Sequence, residues 1–297
     1  MEQARALINL GLVRIQAGDI AWAETALQAG IQKASEAGDL GRLAGGYLNL
    51  GKLLHQKGEL GPAMECYRES RSLFRRLGNR TQLARTLANL GNVFYECGDL
   101  ERAKTYNDEA ARMARQSGVE RLVGITRLMG GCILVQSGER AEGELRIRES
   151  IDLLGRQGAG DRPIEAMLEL VGAFVAYRDH ASALATLEQA EREMSGAESA
   201  LVAARIDLLR GFILLGEGEP KPARAHFERA RQAMLGMRRR IYVLEADIGL
   251  CRCAFAEGNT GEAAHCLARA ESSIDEVKRA LPDDVQGSFE SSRMISM

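Results

Sequence analysis

Glycine recurs in this chain at intervals of 40 residues, and that period constrains the fold more than any other feature. Gly11, Gly51, Gly91, Gly131 and Gly211 stand on it, with Val171 and Cys251 in the two remaining places. Seven residues after each come Gly18, Gly58, Gly98, Gly138, Arg178, Gly218 and Gly258. Twelve after come Ala23, Ala63, Ala103, Gly143, Ala183, Ala223 and Ala263; nineteen after come Gly30, Ser70, Ala110, Ser150, Ala190, Ala230 and Ala270. The last two series contain only Ala, Gly and Ser. A register kept seven times without insertion or deletion means one supersecondary unit copied along the chain. It also accounts for 32 Gly beside only 5 Pro, a composition that suits helices only where the glycines hold special positions.

One unit reads as two helices. Leu7, Leu10, Val13 and Arg14 lie in a run with helical spacing. Gly18-Asp19 ends it: Gly adopts the left-handed conformation that closes a helix, and Asp accepts from the free N–H groups of the next. Gly58-Glu59, Gly98-Asp99 and Gly138-Glu139 are expected to repeat the device. A second helix carries Ala23, Leu27, Gly30 and Ile31 on one face, and a second break falls at Gly38-Asp39, Gly78-Asn79 and Gly118. The small residues are expected where the two helices cross, because bulk there would hold the backbones apart. A single pair leaves an apolar face uncovered, so neighbouring pairs must stack. The expected fold is all-α: a right-handed α-solenoid of about seven stacked helix-turn-helix repeats.

These residues resemble the tetratricopeptide repeat (TPR) family. Its signature of Leu-Gly, Gly, Ala, a large apolar residue and a second small one matches Leu50-Gly51, Gly58, Ala63, Tyr67 and Ser70, and again Leu90-Gly91, Gly98, Ala103 and Ala110. The stretch Leu87 to Ala103 is the closest fit. The unit is longer than the family's common one, and the family's Pro after the second helix is replaced by linkers such as Gly78-Asn79-Arg80. This long variety is similar to repeats of bacterial multidomain regulators of the maltose-activator type and of animal G-protein-signalling adaptors. Repeats are expected near 4–43, 44–83, 84–123, 124–163, 164–203, 204–243 and 244–283, followed by a polar tail at 284–297, partly disordered, with Asp283-Asp284 placed to start a short helix after Pro282. From the abrupt start of the first helix, the chain is expected to be a repeat domain of a longer protein, with linked regulatory domains expected elsewhere in the parent.

The resemblance implies a ligand groove lined by the first helices, contacted three residues before, one after, and four or five after the first-helix Gly. The first position gives Ile8, Leu48, Ala88, Leu128, Leu168, Leu208 and Ile248; one after gives Leu12, Lys52, Asn92, Cys132, Gly172, Phe212 and Arg252; four after gives Ile15, His55, Tyr95, Val135, Val175, Leu215 and Phe255. The expected binding residues are therefore Ile8, Leu12, Ile15, Leu48, Lys52, His55, Arg85, Asn92, Tyr95, Leu128, Val135, Leu168, Leu208 and Phe212. The series is mostly apolar and suits an amphipathic helix or apolar peptide. The alternative is that these side chains pack on the adjacent helix as core. A family variant clamps a terminal carboxylate; Asn49, Asn89, Asn92, Lys52 and Arg85 are fragments of that set, but Ile8, Leu48 and Ala88 stand where its Lys belongs.

Chemistry is scarce elsewhere. A net charge of -2 gives no global field for a polyanion, so neither nucleic acid nor a membrane surface is an expected partner. In the basic stretch Lys221 to Arg240, Arg238-Arg239-Arg240 falls in a loop between helices and reads as a solvated loop rather than a dock for an acidic partner, and no interleaved aromatics support nucleic-acid stacking. His265-Cys266 with Cys251 and Cys253 lacks the paired Cys spacing of a zinc site. Neither a Gly-x-Ser-x-Gly elbow nor a phosphate-binding Gly-rich loop occurs. No catalytic residues, cofactor or metal are expected, and the six scattered Cys fit a reducing, cytoplasmic setting. The expected function is a non-catalytic protein- or peptide-binding scaffold; the alternative is the sensor or signal-coupling domain of a larger bacterial regulator.

Overall fold

A computed structural model describes residues 2–290 except 17–18, 159 and 195–198. Gly18 and the tail from 291 onward lie outside the described residues. The described chain is helical, with α1 (Glu2–Gln16) and α2 (Ile20–Glu36), α3 (Leu40–Lys57) and α4 (Leu60–Arg76), α5 (Arg80–Glu96) and α6 (Leu100–Ser117), α7 (Glu120–Gln136) and α8 (Arg140–Arg156), α9 (Arg162–Ala176) and α10 (His180–Glu193), α11 (Ala200–Gly216) and α12 (Pro220–Gly236), α13 (Arg240–Ala256) and α14 (Thr260–Arg279), then α15 (Asp283–Glu290). The second helix of every pair begins 40 residues after the one before it, so the period seen in the sequence is the period of the structure. No strand occurs among the described residues.

The chain divides into two compact units. One holds the residues up to Leu122 together with the segment that begins at Val277; the other runs from Val123 to Glu276. In the first, each helix packs on the next from α1 to α6, and the first helices also touch one another, α1 with α3 and α3 with α5. The second unit repeats the scheme: α8 through α13 pack in succession, α9 touches α11 and α11 touches α13. Within each unit the first helices thus form the closely spaced side, as the solenoid fold requires.

The helix crossings are where the small residues sit. Ala23, Ala63, Ala103, Ala183 and Ala223 are all fully buried, and Ser70 and Ser150 are buried at the second crossing position. At Gly51 a Cβ would lie 2.7 Å from the Tyr67 ring, so the notch left by this glycine is filled by a large aromatic side chain of α4. Where Cys251 replaces the glycine, its Sγ donates to the Ala263 carbonyl at 3.5 Å, and Ala263 is half-buried rather than buried.

The turns correct one expectation. Asp39, Asn79, Asp99 and Asp179 each accept from a backbone N–H three residues on, at 2.9–3.2 Å. Glu59 and Glu139 form no such cap. The extra methylene of Glu carries its carboxylate past the N–H groups that a shorter Asp side chain reaches. Arg178 and Arg238 occupy turn positions with φ of 57° and 55°, taking the left-handed conformation that glycine takes in the other repeats.

Candidate functional site

In the first unit seven residues of the expected groove, on α1, α3 and α5, are exposed or half-buried. Leu12 and Arg85 are exposed; Ile15, Lys52, His55, Asn92 and Tyr95 are half-buried. Ile8 and Leu48 are not part of that surface, being 8% and 4% exposed. Ile8 shows why: its side chain lies against Gly30 of α2 and Gly46 of α3, so the position three residues before the repeat glycine points into the stack. In the second unit Leu168 and Leu208 stand at that same position and are buried, Val135 and Phe212 from the other two columns are buried as well, and Leu128 remains half-buried. Phe212 meets Phe227 edge-on at 4.9 Å between centroids.

The polar groups of the first-unit face are arranged around α3 and α5. His55 Nε2 lies 3.0 Å from Glu96 Oε1, linking the last turns of the two helices. The same imidazole stands edge-on to Tyr67, 6.3 Å away. Burial pushes the Tyr67 phenol well above its ordinary range, with the Glu96 charge adding to it, so this hydroxyl stays protonated. Asn92 Oδ1 is buried and has no hydrogen-bond partner among the described residues. A buried amide acceptor without a donor costs about 1–3 kcal/mol.

Many charges elsewhere are paired within the chain. Of the basic stretch, Arg224 pairs with Glu257 and Glu262, Arg229 with Asp207, Arg231 with Asp247, and Arg240 with Glu276. Asp247, 3% exposed, also accepts from Arg269 at 2.7 Å. Arg205 Nη2 donates to Glu169 Oε1 at 2.7 Å, and its Cζ lies 5.6 Å from the Tyr242 ring centroid. These pairs were not anticipated from sequence, although a signal exists. Asp207 and Asp247 occupy a repeat column otherwise held by Leu7, Tyr47, Leu87, Arg127 and Met167, and an acid in a mostly apolar column needs a partner. No group of His, Cys, Asp and Glu among the described residues is placed to hold a metal ion. Cys251, Cys253 and Cys266 are thiols within the helix packing. No described helix is long and apolar enough to cross a membrane.

A stack of helix hairpins with a repeated small-residue crossing, offering a mixed apolar and amide-bearing face, defines a TPR-class protein. The chain belongs to the family of MalT-like TPR regions, whose family model matches residues 1–226. No curated protein matches. Among solved structures it is similar to a Rap protein complexed with competence and sporulation factor, with 11% identity, TM-score 0.76, and coverage of 94% of this chain and 76% of that one. It is also similar to the Rap conjugation gene regulator of plasmid pLS20 in complex with the Phr* peptide, with 14% identity, TM-score 0.74, and coverage of 93% and 75%. BtubC from P. vanneervenii aligns at 16% identity, TM-score 0.51, over 79% of this chain and 92% of that one.

Proposed function

We propose that this chain is a non-catalytic scaffold that binds an extended peptide or a protein segment on the first-helix face of α1, α3 and α5. The observation that carries the reading is the group of half-buried polar and aromatic side chains on the first helices α3 and α5, Lys52 and His55 with the amide-bearing Asn92 and Tyr95. An amide bonds the main chain of an extended peptide whatever its sequence, while Tyr95, Leu12 and Ile15 supply apolar contact. The two Rap structures held with a factor and with a peptide support the reading, since they share this fold. A preformed helical face also lowers the ordering cost of binding.

The setting we favour is a signal-coupling part of a larger bacterial regulator, supported by membership of the MalT-like family. The test is selection from a displayed library of short linear peptides on the full chain. Selected peptides are expected to lose binding to the Asn92→Ala and Tyr95→Asp variants while circular dichroism stays helical. Retained binding in both variants overturns the proposed face.

A further inference from the structure

A set of buried apolar residues runs from the end of α14 through α15. Val277, Leu281, Val285 and Phe289 recur every fourth residue and are 5%, 4%, 0% and 0% exposed. Val285 and Phe289, four apart, share one face of α15, while Val277 stands in the last turn of α14 and Leu281 in the bend between the two helices; Asp283, Asp284, Gly287 and Glu290 are exposed. Gln286 Nε2 donates to the Leu281 carbonyl at 3.0 Å and ties α15 to the turn at Pro282.

This segment lies on the N-terminal repeats, and their sequence is adapted to it. Gly61, the second residue of α4, is buried, whereas its counterparts Ala21, Glu101, Ala141, Ala181, Lys221 and Gly261 are all exposed. A Cβ on Gly61 would lie 1.7 Å from the Ala280 carbonyl oxygen and 2.7 Å from its carbon. The backbones touch, and any side chain at 61 would force them apart. Leu60 and Met64 beside it are buried at 1% and 0%. On the neighbouring helix Arg102 reaches the Asp284 carboxylate and donates from Nη2 to the Asp284 carbonyl at 2.7 Å. Arg102 is itself held by Asp99 and by the Phe94 ring, 4.7 Å from its centroid. Apolar contact, a glycine notch and a fixed cation together make a surface that recognises a helix by shape and charge.

We propose that the edge formed by the N-terminal turns of α4 and α6 is a second docking surface, specific for a short amphipathic helix with apolar residues four apart and a carboxylate in its first turn, and that residues 277–290 occupy it as an internal latch. A partner helix of the same pattern gains access only when the latch releases. The surface is distinct from the first-helix face proposed above and does not depend on it. A tethered segment acts at an effective concentration of roughly millimolar, so a free micromolar peptide cannot compete with an intact latch.

The test uses a fluorescent peptide of residues 277–290 and the full chain. The peptide is expected to bind the Asp284→Arg/Phe289→Ala chain, whose latch is disabled and whose docking surface is intact, at least roughly ten-fold more tightly than wild type. Adding Gly61→Val is expected to abolish that binding. Equal binding to wild type and latch variant, or no binding to a latch variant that keeps its helical signal, overturns the proposal. Hydrogen exchange on the wild-type chain gives an independent reading. Amides of 285–290 are expected to exchange more slowly than in the free peptide, and Arg102→Glu is expected to bring the two rates together. Equal rates in wild type overturn the proposal whatever the variants do.

Discussion

Asp247 and Arg269 stand 22 residues apart and meet at 2.7 Å, in the same two repeat positions where Arg127 meets Glu149 at 3.2 Å with the charges exchanged. Asp207 and Arg229 fill the positions once more, at 2.8 Å. The pair crosses from the first helix of a repeat to its second, so either polarity serves. Burial sets its worth. Asp247 is 3% exposed and holds a second arginine, Arg231; Arg127 and Glu149 are 42% and 45% exposed. Asp247→Ala is expected to lower stability by about 2 kcal/mol, since it strands two cations against the core. Exchanging the charges, Arg127→Glu with Glu149→Arg, is expected to change it by less than about 0.5 kcal/mol. Urea unfolding of both variants measures the contrast.

Ala103 is fully buried where α5 and α6 cross. Ala103→Leu is expected to destabilise by about 1–3 kcal/mol through overpacking. A denaturant midpoint equal to wild type would refute the small-residue crossing.

Arg178 holds a left-handed turn at φ 57°. L-residues are strained there by about 1 kcal/mol, a cost that glycine escapes. Arg178→Gly is expected to raise the melting temperature, although it removes a side chain; a fall would show that the arginine contributes contacts outweighing the strain.

How far this could be read in advance follows from what repetition displays. Both breaks of each unit, the crossings of Ala63 and Ala103 and the pairing of helices were legible because seven copies vote on each column. The face was less legible. Ile8, Leu48, Val135, Leu168, Leu208 and Phe212 are apolar at helical spacing, and spacing alone does not say whether a side chain meets solvent or the next hairpin; all six are buried. Lys52, His55, Asn92 and Tyr95 stay at the surface of the stack because their positions lie to one side of that contact. The role of Gly61 was hidden, since nothing local distinguishes a glycine facing solvent from one facing a backbone more than two hundred residues away.

Burial pushes the Cys66 and Cys253 thiols up to about 11 and drives Cys97 higher still. All six cysteines are free. A thiol raised in the folded state keeps its proton there and loses it more readily on unfolding. The sign is therefore that stability holds below about pH 9, the ordinary thiol value, and declines as pH climbs from there towards 11. Denaturation at stepped alkaline pH is expected to show that decline, and Cys66, Cys97 and Cys253 are expected to resist thiol reagents until denaturant is added. Rapid native labelling of Cys97 would contradict its burial.

The central claim is that ligands lie on the first-helix face of the N-terminal repeats. The most direct measurement places a benzophenone amino acid at position 95, on that face, or at position 104, exposed on α6, and photolyses each full-length chain with a peptide selected on wild type. Cross-linking from position 95 and not from 104 is the predicted result. Cross-linking from 104 alone, or equally from both, would contradict the account.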